Sequence, residues 1–143
     1  MQLTAHTDYS LRLLIYLAVI PPGEKPTVQN AATRYQISVN HLAKVAQTLV
    51  QLGYVQSLRG RSGGLKLAMP ASNILIGRLI RQTENLQLLE CFGQSSSCPI
   101  DPACNLKRAL SDAQKAFLEV LDRCSLADLT SNRAKLHALL DVA

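Results

Sequence analysis

The sequence predicts a mainly α-helical fold that contains one small β-hairpin. Apolar residues make up 48% of the 143 residues and aromatic residues only 4%, a composition that favours an aliphatic, helical interior. Apolar side chains recur at helical spacing in most segments between Pro and Gly breakers. Two short segments, 54–58 and 65–68, flank a glycine-rich tip and predict the hairpin. We divide the chain into residues 1–84, a cysteine-containing loop at 85–104 and a helical segment at 105–143.

The first two helices are predicted from their caps and from the breakers that follow them. Residues 7–20 predict a largely buried helix, with Thr7 or Asp8 as its N-cap. The run Pro21-Pro22-Gly23 ends this helix, because proline cannot continue it. A second, shorter helix is predicted over residues 27–35, opened by the threonine at its start.

A third helix is predicted to start at the cap Ser38 and to end at Gly53. Its apolar stripe comprises Leu42, Val45, Ala46, Leu49 and Val50. The polar side chains off that stripe are Asn40, His41, Lys44, Gln47 and Gln51. Two helices of this size joined by a short turn predict a helix-turn-helix, whose second helix can enter the major groove of DNA. An ordinary pair of helices with a polar surface remains the alternative for this segment by itself.

The hairpin that follows predicts the wing of a winged helix-turn-helix. Its tip has the sequence R-G-R-S-G-G, in which arginines can enter a narrow, electronegative groove and glycines permit positive φ. A Walker-type phosphate loop is disfavoured, because the Lys-Ser/Thr ending of that motif is missing. The residues predicted to form the DNA-binding surface are Ser38, Asn40, His41, Lys44, Arg59, Gly60, Arg61, Gly63 and Gly64.

The charge distribution supports a nucleic-acid partner. Residues 1–90 contain nine Lys/Arg and four Asp/Glu, whereas residues 91–143 contain six of each. Between Lys25 and Thr83 there are eight basic residues and no acidic one. A solvated face usually mixes both signs, so a purely basic stretch predicts an anion-binding surface, with double-stranded DNA as the leading partner.

The helices after the wing are predicted from their apolar spacing. Ser72 is predicted to cap a fourth helix with Ile74, Leu75, Leu79 and Ile80 inward and with Arg78 and Arg81 outward. Residues 105–124 then carry apolar positions spaced 4, 3, 4, 3 and 4, at Leu106, Leu110, Ala113, Phe117, Val120 and Cys124. This period of 3.5 is typical of a helix that pairs with its twin, which predicts a homodimer. Packing within a single four-helix unit is the alternative.

Two further expectations concern the end of the chain and its location. Cys124 lies on the seam and is predicted to be a buried structural thiol, and residues 126–143 are predicted to form a short terminal helix. No stretch reaches the roughly 18 apolar residues of a membrane span, and no secretory signal is recognisable. We therefore expect a cytoplasmic protein with reduced thiols.

The remaining three cysteines lie in one loop with the spacing C-x6-C-x5-C, at Cys91, Cys98 and Cys104. Pro99 and Pro102 exclude a regular helix or strand there. A disulfide would use two thiols and leave the third, and zinc usually takes a C-x2–4-C pair. An iron–sulfur cluster accepts looser spacings and a non-cysteine fourth ligand, and it is the favoured cofactor. Free thiols without a cofactor are the remaining alternative.

Several motifs together give a family resemblance over nearly the whole chain. They are M-Q-L-T-x-x-T-D-Y at the start, S-x-N-H-L-x-K in the third helix, the wing R-G-x-x-G-G-L-x-L, P-A-S-x-I-x-I-G, and P-A-C-x-L-K-x-A-L. In combination these motifs resemble the NsrR-type nitric-oxide-sensing repressors, in the winged-helix family of iron–sulfur regulators that also contains IscR. The resemblance implies a homodimer joined through the helix at 105–124, a pseudo-palindromic DNA operator and nitric oxide as effector.

The resemblance also implies a ligand set. Cys91, Cys98 and Cys104 would hold the cluster, with Asp8 of the other subunit as the fourth ligand; the alternative role of Asp8 is a helix cap. IscR-like relatives carry histidine three residues after the last cysteine, where this sequence has Lys107. Of the two cluster types, [4Fe–4S] is favoured and [2Fe–2S] is possible. The first gap between the cysteines is slightly longer than in the family pattern, a departure that bears on the cluster type and leaves the ligation expected.

Three other functions are weighed against a nitric-oxide-sensing repressor. A regulator of the same architecture could respond instead to redox state, iron or cluster supply. A small electron-transfer protein would not explain the basic span and the arginine-bearing wing. An enzyme is disfavoured, because the sequence shows no Ser/His/Asp set, paired carboxylates or nucleotide-binding loop.

Overall fold

The computed structural model describes residues 1–140, which form seven α-helices and one antiparallel hairpin. The helices are α1 (Ala5–Val19), α2 (Val28–Tyr35), α3 (Val39–Gln51), α4 (Ile76–Thr83), α5 (Asn105–Asp122), α6 (Leu126–Leu129) and α7 (Arg133–Leu140). The strands are β1 (Val55–Leu58) and β2 (Gly64–Leu67), in a register that pairs Val55 with Leu67 and Leu58 with Gly64. The predicted terminal helix is therefore two helices, and its last three residues lie outside the described ones.

The helix-turn-helix and the wing form as their local sequences predict. Thr27 caps α2 in a capping box with Asn30, and the Ser38 side chain accepts a hydrogen bond from the His41 backbone N–H at the start of α3. Gly53 follows α3 with a φ of +84°, the left-handed conformation that favours glycine. The stripe of α3 is buried except for Val50, which was predicted inward but is 39% exposed.

Helix α1 begins earlier than predicted, and its cap is a different residue. The Thr4 side chain accepts a hydrogen bond from the Thr7 backbone N–H, so Thr4 is the N-cap in place of Thr7 or Asp8. The Glu84 carboxylate fixes Thr4 by accepting from its backbone N–H and its hydroxyl, at 2.6 and 2.9 Å. Asp8 therefore lies one turn inside the helix, and the alternative role of Asp8 as a cap is wrong.

The fourth helix also starts later than predicted, because the chain before it pairs with a distant segment. Ser72 lies in a 3-10 turn, Ala71–Asn73, and caps no helix. The Ile76 N–H donates to the Cys124 carbonyl and the Leu126 N–H donates to the Ile74 carbonyl, at 2.9 and 2.8 Å. This extended pairing buries Ile74 and turns Leu75 outward to 41% exposure, whereas Leu75 was predicted inward.

Helix α5 packs on the rest of the chain through a narrow contact. Among its residues only Leu118 is buried, and Arg81 of α4 forms a two-point ion pair with Asp122. The seam positions Leu106 and Val120 are 61% and 60% exposed, so the predicted seam does not pack fully within this chain. Cys124, predicted as buried, is half-buried at the end of the helix.

The last helices return to α1, where the Arg133 guanidinium donates to the Ile20 carbonyl at 2.7 Å. No helix within residues 1–140 is long and apolar enough to cross a membrane.

Candidate nucleic-acid interface and cysteine site

The exposed side of α3 carries the polar residues predicted to contact DNA. Ser38, Asn40 and Lys44 are exposed along its first two turns. His41 is half-buried instead, because its ring packs edge-to-face against Tyr9 of α1 with centroids 4.7 Å apart. Of the four predicted residues, Asn40 and Lys44 are exposed on α3, Ser38 is the exposed cap of this helix, and His41 joins α3 to α1.

The wing carries its two predicted arginines at the hairpin tip, where Arg59 and Arg61 are exposed. Gly60 has a φ of +99°, so a side chain there would be strained. The other two glycines of the tip serve packing. A Cβ at Gly63 would collide with the Leu58 carbonyl oxygen, and one at Gly64 would lie 2.5 Å from the Lys25 carbonyl oxygen.

A cluster on α1 links Asp8 to the helix-turn-helix, and the sequence did not reveal it. The Asp8 Oδ1 atom accepts from Arg12 Nε at 3.0 Å, with both side chains 43% exposed. The Arg12 guanidinium lies 5.9 Å from the Tyr9 ring centroid and 5.8 Å from that of Tyr35. Burial raises the pKa of Tyr35 to about 12, although the Arg12 guanidinium opposes the shift.

The cysteine loop contains two short 3-10 turns, Glu90–Phe92 and Asp101–Ala103. All four cysteines of the chain are free thiols, so the disulfide alternative is not realised here. The Cys104 Sγ atom accepts from the Lys107 backbone N–H at 3.3 Å and thereby caps α5. The part of the chain that the structure describes contains no group of three His, Cys, Asp or Glu side chains close enough to hold a metal ion. Convergence of the three thiols therefore stays a prediction.

One lysine interacts with two of these cysteines. Lys107 Nζ donates to Asp101 Oδ1 at 2.7 Å, and this bond raises the pKa of Lys107, with smaller contributions from Cys91 and Cys104. The same hydrogen bond lowers the pKa of Asp101. The loop thus presents thiol sulfur, a soft ligand that suits iron, next to a fixed positive charge that suits an anionic ligand set.

Comparison with known proteins identifies the family. The model of the Rrf2 family, described as an iron-dependent transcriptional regulator, matches residues 3–132. This chain belongs to the Rrf2 family. The family description confirms the prediction of a transcriptional regulator that binds DNA and is not an enzyme. The same description agrees with the predicted iron-containing cofactor and does not specify the cluster type.

Curated relatives match the chain over almost its full length. The HTH-type transcriptional regulator NsrR of Halalkalibacterium halodurans is 47% identical over 98% of this chain and 97% of the relative. The regulator of the same name from Bacillus subtilis is 46% identical over 98% and 97% of the two chains. The resemblance to NsrR-type regulators, predicted from motifs, is thereby confirmed.

Solved structures support the winged-helix fold class. CymR, the global cysteine regulator of B. subtilis, matches with a TM-score of 0.73 at 26% identity, covering 92% of this chain and 98% of CymR. IscR of T. potens matches with a TM-score of 0.76 at 23% identity, covering 100% and 93%. The predicted fold class, mainly α-helical with one hairpin in a winged helix-turn-helix, is confirmed by both.

Four residues of this region were absent from the predicted site: Tyr9, Arg12, Asp101 and Lys107. Lys107 had a visible signal, because it lies three residues after Cys104, one turn along a helix. Arg12 had one too, because it lies four residues after Asp8 on the same helix. The contacts of Tyr9 with His41 and of Arg12 with Tyr35 had none, since they join different helices.

Proposed function

We propose that this Rrf2 regulator is a homodimeric repressor that senses nitric oxide through an iron–sulfur cluster and then releases its operators. Cys91, Cys98, Cys104 and Asp8 of the partner subunit would hold the cluster, with [4Fe–4S] favoured over [2Fe–2S]. The observation that carries the proposal is the near full-length similarity to NsrR regulators, together with three free thiols in one loop.

The charge and exposure of the wing and of α3 support the DNA-binding surface. Asn40, Lys44, Arg59 and Arg61 are exposed on two adjacent elements. Cations at these places can replace counterions on DNA phosphates, and amide and guanidinium groups can bond base edges. A dimer that presents two such surfaces fits a pseudo-palindromic operator.

The exposed seam supports the dimer. Leu106 and Val120 are 61% and 60% exposed, although both lie on the regular apolar seam of α5. Burying such positions against a second copy is favourable by about 25 cal/mol per Å² of apolar surface. The resemblance to NsrR-type regulators implies that such a dimer brings the N-terminal helix of one subunit towards the loop of the other.

The proposed ligands, three thiolates and one carboxylate, support a response to nitric oxide at the iron that Asp8 would bind. When bound, an iron–sulfur cluster supplies iron sites at which nitric oxide can bind. Carboxylate is a harder and weaker ligand for such iron than thiolate, so Asp8 is the ligand most easily lost. In the chain alone Asp8 pairs with Arg12, Arg12 lies over Tyr9, and Tyr9 packs on His41 of α3. A change of partner at Asp8 therefore reaches the DNA-reading helix through three contacts.

The test uses anaerobically purified protein with a measured visible spectrum, and DNA selected by the protein from a random library. We expect nitric oxide to change the spectrum and to weaken DNA binding, followed by fluorescence anisotropy, over the same range of nitric oxide. The proposal fails if the spectrum responds and DNA affinity stays constant.

The alternative is a regulator of the same architecture that responds to redox state, iron or cluster supply. Its support is the description of the matching family as an iron-dependent transcriptional regulator. This alternative predicts that DNA binding follows iron chelation or oxidation and is insensitive to nitric oxide.

A further inference from the structure

The polar contacts of the cysteine loop meet at one acidic residue. The Asp101 backbone N–H donates to the Cys98 carbonyl at 3.2 Å, and its carbonyl accepts from the Cys104 N–H at 3.4 Å. Its carboxylate accepts from Lys107 Nζ at 2.7 Å, and Lys107 is the main cause of the lowered pKa of Asp101, with a smaller contribution from Ser96. Ser96 in turn accepts from the Cys98 N–H at 3.3 Å. Asp101 thus ties the second cysteine to the third and both to helix α5.

Lys107 extends this network to the first cysteine. Its backbone N–H donates to the Cys104 Sγ atom at 3.3 Å. The pKa of its ammonium group is raised first by Asp101 and to a smaller extent by Cys91 and Cys104. The side chains of Lys107 and Asp101 are 35% and 23% exposed, so solvent only partly screens the pair. The lysine is therefore the one cation among the loop's described ion pairs, and the aspartate fixes where it points.

We propose that Asp101 and Lys107 are positioning residues of the cysteine site: Asp101 orders the loop before the cofactor binds, and it holds the Lys107 ammonium beside Cys91 and Cys104 to balance their negative charge. This inference rests on the proposed iron–sulfur function. Its physical basis is twofold. Residues that hydrogen-bond the metal ligands orient those ligands and change the affinity for the metal. A cation fixed nearby stabilises an anionic set of ligands by Coulomb attraction.

An ordinary exposed ion pair is the competing explanation, and such pairs contribute little. It would bridge the loop and α5 without affecting the thiols. The two explanations differ in what happens when the two charges are exchanged between positions.

The first experiment measures cluster retention in anaerobic, reconstituted protein challenged with an iron chelator. Asp101→Asn and Lys107→Met are each expected to speed iron loss about 10- to 100-fold, the usual effect of removing a group behind the ligands. The double variant should be little worse than the poorer single variant, because both remove one pair. Asp112→Asn and Lys115→Met, exposed positions on the same helix, serve as matched controls and should retain iron as wild type does.

The second experiment exchanges the charges, with Asp101→Lys and Lys107→Asp in one chain. This variant can form the ion pair again but places a carboxylate beside Cys91 and Cys104. We expect restored loop order and continued fast iron loss. Recovery of both properties would overturn the charge-balancing role and leave an ordinary ion pair.

The third experiment uses the protein without cofactor, so that it does not depend on cluster assembly. Amide hydrogen exchange of residues 96–107 should accelerate in Asp101→Asn and recover in the charge-exchanged chain, while exchange in α1 to α4 stays unchanged. Wild-type exchange in Asp101→Asn would overturn the ordering role. Failure of wild-type protein to assemble any cluster would instead count against the proposed function.

Discussion

The two halves of this chain, residues 1–84 and the residues after them, differ in how many of their apolar side chains are buried within a single chain. Residues 1–84 contain all but two of the buried apolar side chains among the described residues, the exceptions being Leu118 and Leu126. Every helix in α1 to α3 has a side-chain cap. The second half instead leaves Ile100, Leu106, Val120 and Leu139 more than half exposed, and its longest helix buries one residue.

This difference indicates that the second half, and not the first, requires a second copy of the chain and a cofactor to bury its apolar residues and to use its thiols. The first half, in which we propose the DNA-binding surface, supplies most of the apolar core, and Leu118 and Leu126 of the second half complete it. This half is therefore stabilised largely by its own side chains, because apolar burial is the main favourable term in folding. The second half has apolar seams and free thiols that remain incomplete in one chain, as expected of a region that binds a second copy and a cofactor. Changes in the first half should therefore alter DNA binding, and changes in the second should alter assembly.

The largest expected effect is at the cysteines. Replacing Cys91, Cys98 or Cys104 by Ala should abolish cluster assembly, because two thiolates rarely hold a cluster, while the helical content stays unchanged. Cys124→Ala is the control and should assemble normally. Iron and sulfide content with the visible spectrum decide the result, and full iron content in Cys98→Ala would remove that residue from the site.

The seam should give the next largest effect. Leu106→Glu combined with Val120→Glu should yield monomers in sedimentation velocity and weaken binding to a two-half-site operator about 10²- to 10⁴-fold, because avidity is lost. Leu139→Glu is a matched control, since it changes an apolar residue that is 65% exposed but lies on α7, off the seam. Wild-type dimerisation in the double variant would point to a different interface.

The wing tests the other half. Arg59→Ala should weaken DNA binding by about 1–3 kcal/mol and leave the cluster spectrum unchanged. If Arg59 contacts a phosphate, the log–log slope of affinity against salt should also fall by about 0.9. Lys115→Ala removes an exposed cation from the second half and should change neither quantity. An altered spectrum with wild-type affinity would contradict the wing assignment.

The smallest effect on stability is expected at Asp8, although its spectroscopic effect is diagnostic. Asp8→Asn removes the exposed ion pair with Arg12, which contributes about 0.2–1 kcal/mol. If Asp8 is a ligand, this variant should still assemble a cluster on three thiolates but with an altered spectrum and faster loss in air.

Arg12→Gln is the matched control for Asp8→Asn, because it breaks the same ion pair and keeps the carboxylate. It should retain the wild-type spectrum. Wild-type absorption and nitric-oxide response in Asp8→Asn would exclude Asp8 from the site.

Local sequence was sufficient where neighbours along the chain decide the structure. The caps Thr27 and Ser38, the left-handed Gly53 and the two strands of the wing all follow from contacts within a few residues. Prediction failed where a distant partner competed. The helix predicted to start at Ser72 starts later, because residues 74–76 pair with residues 124–126. Helix α1 starts at Ala5, because Glu84 fixes the N-cap Thr4.

The sequence by itself determined the fold class, the basic half and the three loop cysteines, because each follows from residue type and spacing. Only the tertiary structure decided which other residues contact the predicted DNA-binding residues and the cysteines. The contact of Tyr9 with His41 joins helices far apart in the chain, and Cys91 contributes to the raised pKa of Lys107 from the other end of the loop. Interactions of this kind depend on distances set by packing, and a linear pattern contains no such distances.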